Sequence, residues 1–366
     1  MPGQKMPGPK PPGPRMLEVE LIASRDTTGA EATLVALDEV RAAEDRIASV
    51  IVRTPLLAST LGVADTDQPH PIWLKCESLQ NAGAFKLRGA YNFISCLTET
   101  DRSRGVVTYS SGNHAQGVAW SARELGLSAT VVMPVDAPSV KREAVLAMGA
   151  IVELIGTTTI ERQARAEEIV AMGGGVMVPP FDDPRIIAGQ GTVGLEILAQ
   201  LAAASSDATP LRAGLVVVPI GGGGLIAGVA AAIRRLSPRT RIVGVEPEGA
   251  SKMRKSLDAG HPVTLSSIDT IADGLKPVRP GDLTYAHVDQ LVDEVVTVTD
   301  QSIRDAVLWC YGRRLVVEPS GAASLASLLA GRVSPAESGE TIAILSGGNL
   351  DLELLRRWIA EERAGG

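Results

Sequence analysis

The chain holds 366 residues, more than one compact core usually organises, so two domains or one large α/β unit is the starting expectation. Lysine and arginine number 35 against 42 acidic residues, and the resulting charge of −7 disfavours nucleic acid or an anionic membrane as partner. Four histidines and three cysteines rule out a zinc cluster with ligand spacing, speak against a disulfide framework, and point to a reducing, cytoplasmic compartment.

Residues 1–15 are crowded with proline and glycine, and are expected to form a disordered or polyproline tail without a signal-peptide core. A helix is expected over 33–49. Short apolar runs rich in β-branched residues follow at 106–110, 129–135, 151–155, 215–220, 241–246, 294–298 and 341–346. They read as strands buried on both faces, hence parallel. Helical patterns lie between them at 114–126, 139–150, 159–174, 189–204 and 300–315, so strand and helix alternate as in an α/β fold. The stretch from Ala213 to Ile233 carries no charge and has the length of a membrane span. Pro219 and four consecutive glycines interrupt it, so it parses as strand, loop and helix.

Three of the predicted strands end in polar or glycine-rich turns: SGNH after 110, GGGG at 221–224 and GGN after Ser346. In open parallel sheets ligands collect at the carboxyl ends of strands, so one shared anion or cofactor pocket is expected there. Four glycines between a strand and a helix put several backbone N–H groups and a helix dipole at one point, where a phosphate can sit. No Lys-Ser/Thr follows, so this is not a Walker loop, and a dinucleotide fold stays open on this motif alone. Lys86 stands among small and apolar residues in AGAFKLRGA. A lysine held in dry surroundings offers a neutral amine for Schiff-base chemistry, and with a phosphate cradle these are the parts of a pyridoxal-phosphate site.

In family order, the pieces GAFKLRGA, SSGNHAQGVA, PFDDPRIIAGQGT, GGGGLIAG, GVEPEGA, TIADGL, VVEPSGAA and LSGGNLD span about three quarters of the chain. With them the chain resembles the serine/threonine dehydratase and serine racemase family of fold-type II pyridoxal-phosphate enzymes. The resemblance implies a tryptophan synthase β-like α/β fold, with two open, twisted, mostly parallel sheets. It divides the chain into a large cofactor domain (16–104 and 183–366) and a small mobile one (105–182).

The same resemblance assigns roles. Lys86 carries pyridoxal 5'-phosphate and removes the substrate α-proton, with Phe85 beside it. Gly221, Gly222, Gly223 and Gly224 hold the phosphate, Asn113 the ring hydroxyl, and Ser346 the pyridine nitrogen. Ser110, Ser111, Gly112 and His114 grip the substrate carboxylate, and Ser111 is in addition the candidate second base. The implied reaction is β-elimination of water from L-threonine or L-serine, giving 2-oxobutyrate or pyruvate and ammonia. Serine racemisation, or dehydration of a hydroxyaspartate or hydroxyectoine-derived amino acid, is the alternative, and a binding protein that has lost catalysis is a further rival. A homodimer is implied too. Members that bind a divalent cation use a Glu, a carbonyl and an Asp. Here Glu246 and Ala250 fit but Lys252 stands at the third position, so a metal is doubtful and the Lys252 ammonium is expected to pair with Glu246. Only 17 residues follow Asn349, too few for a regulatory domain, so a short catabolic-type enzyme is expected.

Overall fold

Strand β7 carries Leu215, Val216, Val217 and Val218 in succession, and successive side chains of a strand point to opposite faces. Leu215 and Val217 enter one apolar cluster, Val216 and Val218 the other, so the strand is covered by core on both sides. The same split divides Val243 and Val245 from Ile242, and Ala343 and Leu345 from Ile342 and Ile344. A sheet built from such strands has to be buried between two layers of helices.

The computed structural model describes residues 34–61, 70–110, 112–137, 139–206 and 211–365; the proline-rich segment 1–15 and Ser111 lie outside the described residues. The strands among these are β1 (Leu56–Leu61), β2 (His70–Cys76), β3 (Val106–Tyr109), β4 (Ala129–Met133), β5 (Ile151–Leu154), β6 (Val176–Met177), β7 (Ala213–Pro219), β8 (Arg241–Pro247), β9 (Glu294–Val298) and β10 (Glu340–Leu345). The helices are α1 (Leu37–Ile47), α2 (Lys86–Ser95), α3 (Glu99–Arg104), α4 (Asn113–Glu124), α5 (Ser139–Ala147), α6 (Thr159–Ala171) and α7 (Pro184–Ala204) in the first part of the chain. After them come α8 (Gly224–Leu236), α9 (Lys252–Ala259), α10 (Asp282–Leu291), α11 (Asp300–Gly312), α12 (Pro319–Leu329) and α13 (Leu352–Gly365).

Two sheets result. The first has the order β1-β2-β10-β7-β8-β9 and is parallel except where β1 runs antiparallel to β2. The second, β5-β4-β3-β6, is parallel throughout and comes from residues 106–177. This is an α/β fold with two mostly parallel sheets. The charge-free stretch from Ala213 is indeed strand, turn and helix, with α8 buried along nearly its whole length.

One expected strand is different in its surroundings. Run 151–155 is not buried on both faces: β5 is an edge strand, with Ile151 59% and Leu154 37% exposed. Strands β1 and β2 fall outside the predicted apolar runs. β1 is a half-exposed edge, and β2 carries Lys75 inside the protein.

Lys75 belongs to a buried ionic cluster that ties β2, α2 and α7 together. The Arg88 guanidinium spends all five N–H donors: on both oxygens of Glu77 (2.8 Å each), on both of Glu196 (2.7 and 3.0 Å) and on Thr192 Oγ1 (3.1 Å). Lys75 Nζ adds bonds to Glu196 Oε2 (2.6 Å), the Thr54 carbonyl and Gln200. Two cations face two carboxylates, so the cluster is neutral and each charge is paired. Burial alone would raise the Glu77 carboxyl; Arg88 holds it below the usual carboxylate range.

Candidate active site

Lys86 opens α2, two residues before Arg88, so the ionic cluster anchors the helix that carries it. Its Nζ donates to the Pro180 carbonyl at 2.6 Å, with the Phe85 ring 5.4 Å away. Burial pushes the ammonium down to about 8, so a substantial share of this lysine is a neutral amine in mildly alkaline water.

Pro180 leads into Phe181, and this ring meets the tetraglycine turn. A Cβ at Gly222 would lie 2.2 Å from a Phe181 ring carbon. Gly223 has φ +101°, a left-handed conformation, and a Cβ there would lie 2.8 Å from Thr284 Oγ1. Thr284 Oγ1 donates to the Gly222 carbonyl at 2.7 Å. The turn is thus fixed from both sides, and α8 starts at Gly224 with its first-turn amides free of intrahelical partners. Asp182 accepts three backbone N–H bonds at the start of α10, from residues 282–284. Asp183 caps α7 through Arg185 N at 2.8 Å. The PFDDP segment is therefore a hub between the amine, the glycine turn and two helix ends.

The third strand end joins from β10. The Ser346 carbonyl accepts from Phe85 N at 3.1 Å, and Ser346 itself is buried. Asn349 Nδ2 donates to Asn113 Oδ1 at 2.8 Å, while Asn113 Nδ2 donates to Glu318 Oε1. Contacts therefore run from Gly222 through Phe181 and Pro180 to Lys86, through Phe85 to Ser346, and on to Asn349 and Asn113. The structure gathers Lys86, Phe85, Asn113, Gly222 and Ser346 around one place, as expected for ends of strands from both sheets.

Around the start of α4 the picture is finer. The Ser110 hydroxyl accepts from Gly112 N at 3.4 Å, and Gly112 is the N-cap residue of the helix. The His114 ring turns away: Nε2 lies 3.0 Å from the Val178 carbonyl. A carbonyl only accepts, so Nε2 carries the hydrogen and Nδ1 is an acceptor. Burial, then the nearby Lys86 charge, pushes this imidazole down to about 3, so it is neutral at working pH. What His114 can offer a carboxylate is its main-chain N–H in the first turn of α4.

Glu246 and Ala250 do converge, but on an ammonium. Lys252 Nζ lies 3.0 Å from Glu246 Oε1 and donates to the carbonyls of Ile220 (3.0 Å), Ala250 (3.1 Å) and Leu275 (3.1 Å). Glu246 also accepts from Met253 N and Arg254 N, and both side chains are fully buried. Among the described residues there is no group of three or more His, Cys, Asp or Glu that could hold a metal.

The residues fit pyridoxal phosphate by their own chemistry. The turn has backbone where a side chain would block an anion, and a depressed amine stands beside it. Asn113 has spent one of its two amide hydrogens on Glu318 and keeps another for a ring oxygen. Pro180, Phe181, Thr284, Glu318 and Asn349 belong to this site and were not assigned roles from sequence. All but Thr284 stand in the motifs quoted above, but the contacts are made across up to 267 residues.

A family model described as pyridoxal-phosphate dependent enzyme matches residues 47–347. The catabolic L-threonine dehydratase TdcB of Escherichia coli (strain K12) is 41% identical over 320 residues, 87% of this chain and 94% of its own length. A serine racemase of Oryza sativa subsp. indica is 40% identical over 334 residues, 89% of this chain and 95% of its own length. Among solved structures, maize serine racemase superposes with TM-score 0.81 at 38% identity, covering 91% of this chain and 99% of that one.

Proposed function

Because the chain belongs to the pyridoxal-phosphate-dependent enzymes, we propose that this pocket removes water from L-threonine or L-serine and releases 2-oxobutyrate or pyruvate with ammonia. The protein is a pyridoxal-phosphate-dependent lyase. The observation that carries the reading is the Lys86 amine, pushed down to about 8 and held on the Pro180 carbonyl, one residue from the ring that covers the glycine turn.

Bound pyridoxal phosphate supplies an electron sink that acidifies the substrate Cα–H and eases loss of a β-hydroxyl. Lys86 Nζ would hold the cofactor and, as a neutral amine, would take the substrate Cα proton. Gly221–Gly224 and the first turn of α8 bind the phosphate through main-chain amides. Asn113 would offer its remaining N–H to a ring oxygen, and Ser346 would offer the ring nitrogen a hydroxyl rather than a carboxylate. Ser110, Gly112 and the amides at the start of α4 bind the substrate carboxylate, together with Ser111. Lys252 takes the place of a cation beside Glu246. Residues 105–182 close over the substrate as a mobile unit. A cytoplasmic location and a homodimer complete the reading.

Incubating the purified protein with L-serine and L-threonine, and measuring 2-oxo acid and D-amino acid in parallel, tests this. 2-Oxo acid is expected to dominate. Serine racemisation is the second reading, favoured by the rice relative, and D-serine in excess of pyruvate would establish it.

A further inference from the structure

Glu318 is the N-cap residue of α12, a position where a carboxylate ordinarily accepts from its own helix amides. Here the side chain makes no cap bond. It reaches across to α4 instead, where Asn113 Nδ2 donates to it. Glu318 is 8% exposed and pairs with no cation among the described residues. The charges facing it are Lys141 from α5 and Asp273 from the short turn Asp273–Leu275. Those two are bonded to each other at 2.7 Å, with Lys276 also on Asp273 at 3.1 Å, so they largely cancel. Space for the carboxyl comes from Gly347, where a Cβ would lie 2.3 Å from Glu318 Oε1 and 3.0 Å from Asn113 Nδ2.

Asn113 is fixed from its other end. Asn349 Nδ2 donates to the Ala82 carbonyl at 3.0 Å and to Asn113 Oδ1 at 2.8 Å. A carbonyl can only accept, so Asn349 must present its nitrogen, and both hydrogens are spent. Asn113 must then present oxygen to Asn349 and nitrogen to Glu318. The amide orientation follows from the network, which leaves one Nδ2 hydrogen directed elsewhere. The charge on Glu318 acts directly on that amide: a carboxylate accepts far more strongly than a neutral carboxyl and polarises the remaining N–H.

We infer that Glu318 is a positioning residue of the cofactor pocket, holding Asn113 toward the cofactor ring and exchanging a proton behind it, so that the bound cofactor responds to the charge of Glu318. The inference rests on the cofactor-binding reading above. Burial lifts this carboxyl, against the Asn113 bond and Lys141 and with Asp273, to about 7. His114 is neutral throughout that range. Glu318 is therefore a group beside the pocket whose charge changes around neutrality.

The absorption and fluorescence of the bound cofactor, titrated across pH 7, test this. Wild-type holoenzyme is expected to show a spectral transition near neutrality. Glu318→Gln keeps an acceptor oxygen for Asn113 and is expected to take up the cofactor but lose the transition, while Glu318→Asp is expected to retain one. Infrared difference spectra of wild-type apoenzyme across the same range are expected to show a protonated carboxyl that disappears as pH rises. That measurement needs neither a variant nor the cofactor. Absence of the carboxyl signal in wild type, or an unchanged transition in Glu318→Gln, overturns the inference. A wild-type protein that takes up no cofactor fails the proposed function itself, whereas one that takes it up without a transition fails only the role of Glu318.

Discussion

Lys86 and Phe181 are linked through one peptide: the Lys86 amine donates to the Pro180 carbonyl at 2.6 Å, and the next side chain, Phe181, covers Gly222. The nucleophile and the phosphate turn are therefore referenced to the same short segment. Lys86→Ala removes the amine and leaves that segment in place. Turnover is expected to fall by about 10²–10⁴-fold or more, the usual worth of a positioned base. The circular dichroism spectrum is expected to be unchanged. Oxo-acid release measures the first and the spectrum controls for the second.

The same amine sets a pH dependence. Only the neutral amine can attack the cofactor aldehyde, and the ammonium of Lys86 is pushed down to about 8. The rate of cofactor uptake by apoenzyme is expected to rise with pH and level off above about 8. A free lysine, near about 10.4, would still be climbing there. Stopped-flow absorbance across that range distinguishes the two, and a rate still rising steeply above pH 9 would contradict a depressed Lys86.

Much of this arrangement was legible in the chain and some was not, for physical reasons. Core strands of a parallel sheet are apolar runs, so β3, β4 and β7–β10 stand out. β2 does not, because Lys75 interrupts its hydropathy, and only the Glu196 partner, 121 residues away, makes that lysine acceptable inside. α12 escaped because PSGAASLASLL is small and buried on every side, which leaves no amphipathic period to detect. Lys86 and the glycines could be read from local composition. Pro180 and Glu318 could not, since their partners lie 94 and 205 residues away and a motif does not encode such pairings.

Arg88 tests the ionic cluster behind the site. Arg88→Met preserves much of the side-chain volume but leaves Glu77 and Glu196 with one lysine between two buried carboxylates. Removing one partner from a buried ion network typically costs about 3–5 kcal/mol. Urea unfolding of Arg88→Met apoenzyme is expected to show a loss of that order. A loss below about 1 kcal/mol would mean that the cluster is solvated or rearranged.

Lys252 predicts a response to metals. Its ammonium already satisfies Glu246 and three carbonyls, so no oxygen cage is left for an added cation. Wild-type turnover is expected to survive a chelator and to gain nothing from magnesium. Lys252→Met would leave the same oxygens unpaired next to Ile220, the residue before the glycine turn, and is expected to weaken cofactor binding as well as stability. Activity that collapses on chelation and returns with magnesium would count against Lys252 as the resident cation.

His287 predicts the acid side of the stability curve. Its Nε2 accepts from Val35 N at 2.9 Å, and Nδ1 lies 2.8 Å from the Leu283 carbonyl. The carbonyl requires a hydrogen on Nδ1 and Val35 requires a lone pair on Nε2, so this buried ring is built as one neutral tautomer. A proton on Nε2 would confront the Val35 N–H and release the segment that leads into α1. Burial accordingly pushes this histidine below its ordinary range, despite the Leu283 bond and the nearby Asp182 and Glu39. An unfolded chain takes up a proton at about pH 6.5 where the folded one does not. Above that pH the two states bind protons equally and His287 adds no slope. Below it the unfolded state is favoured, so apoenzyme stability is expected to drop as pH falls from about 6.5 toward the lower folded value. His287→Gln, whose amide can supply one donor and one acceptor without titrating, is expected to flatten that part of the curve. Thermal unfolding of both proteins in parallel pH series measures the difference, and identical slopes would show that His287 is not the group responsible.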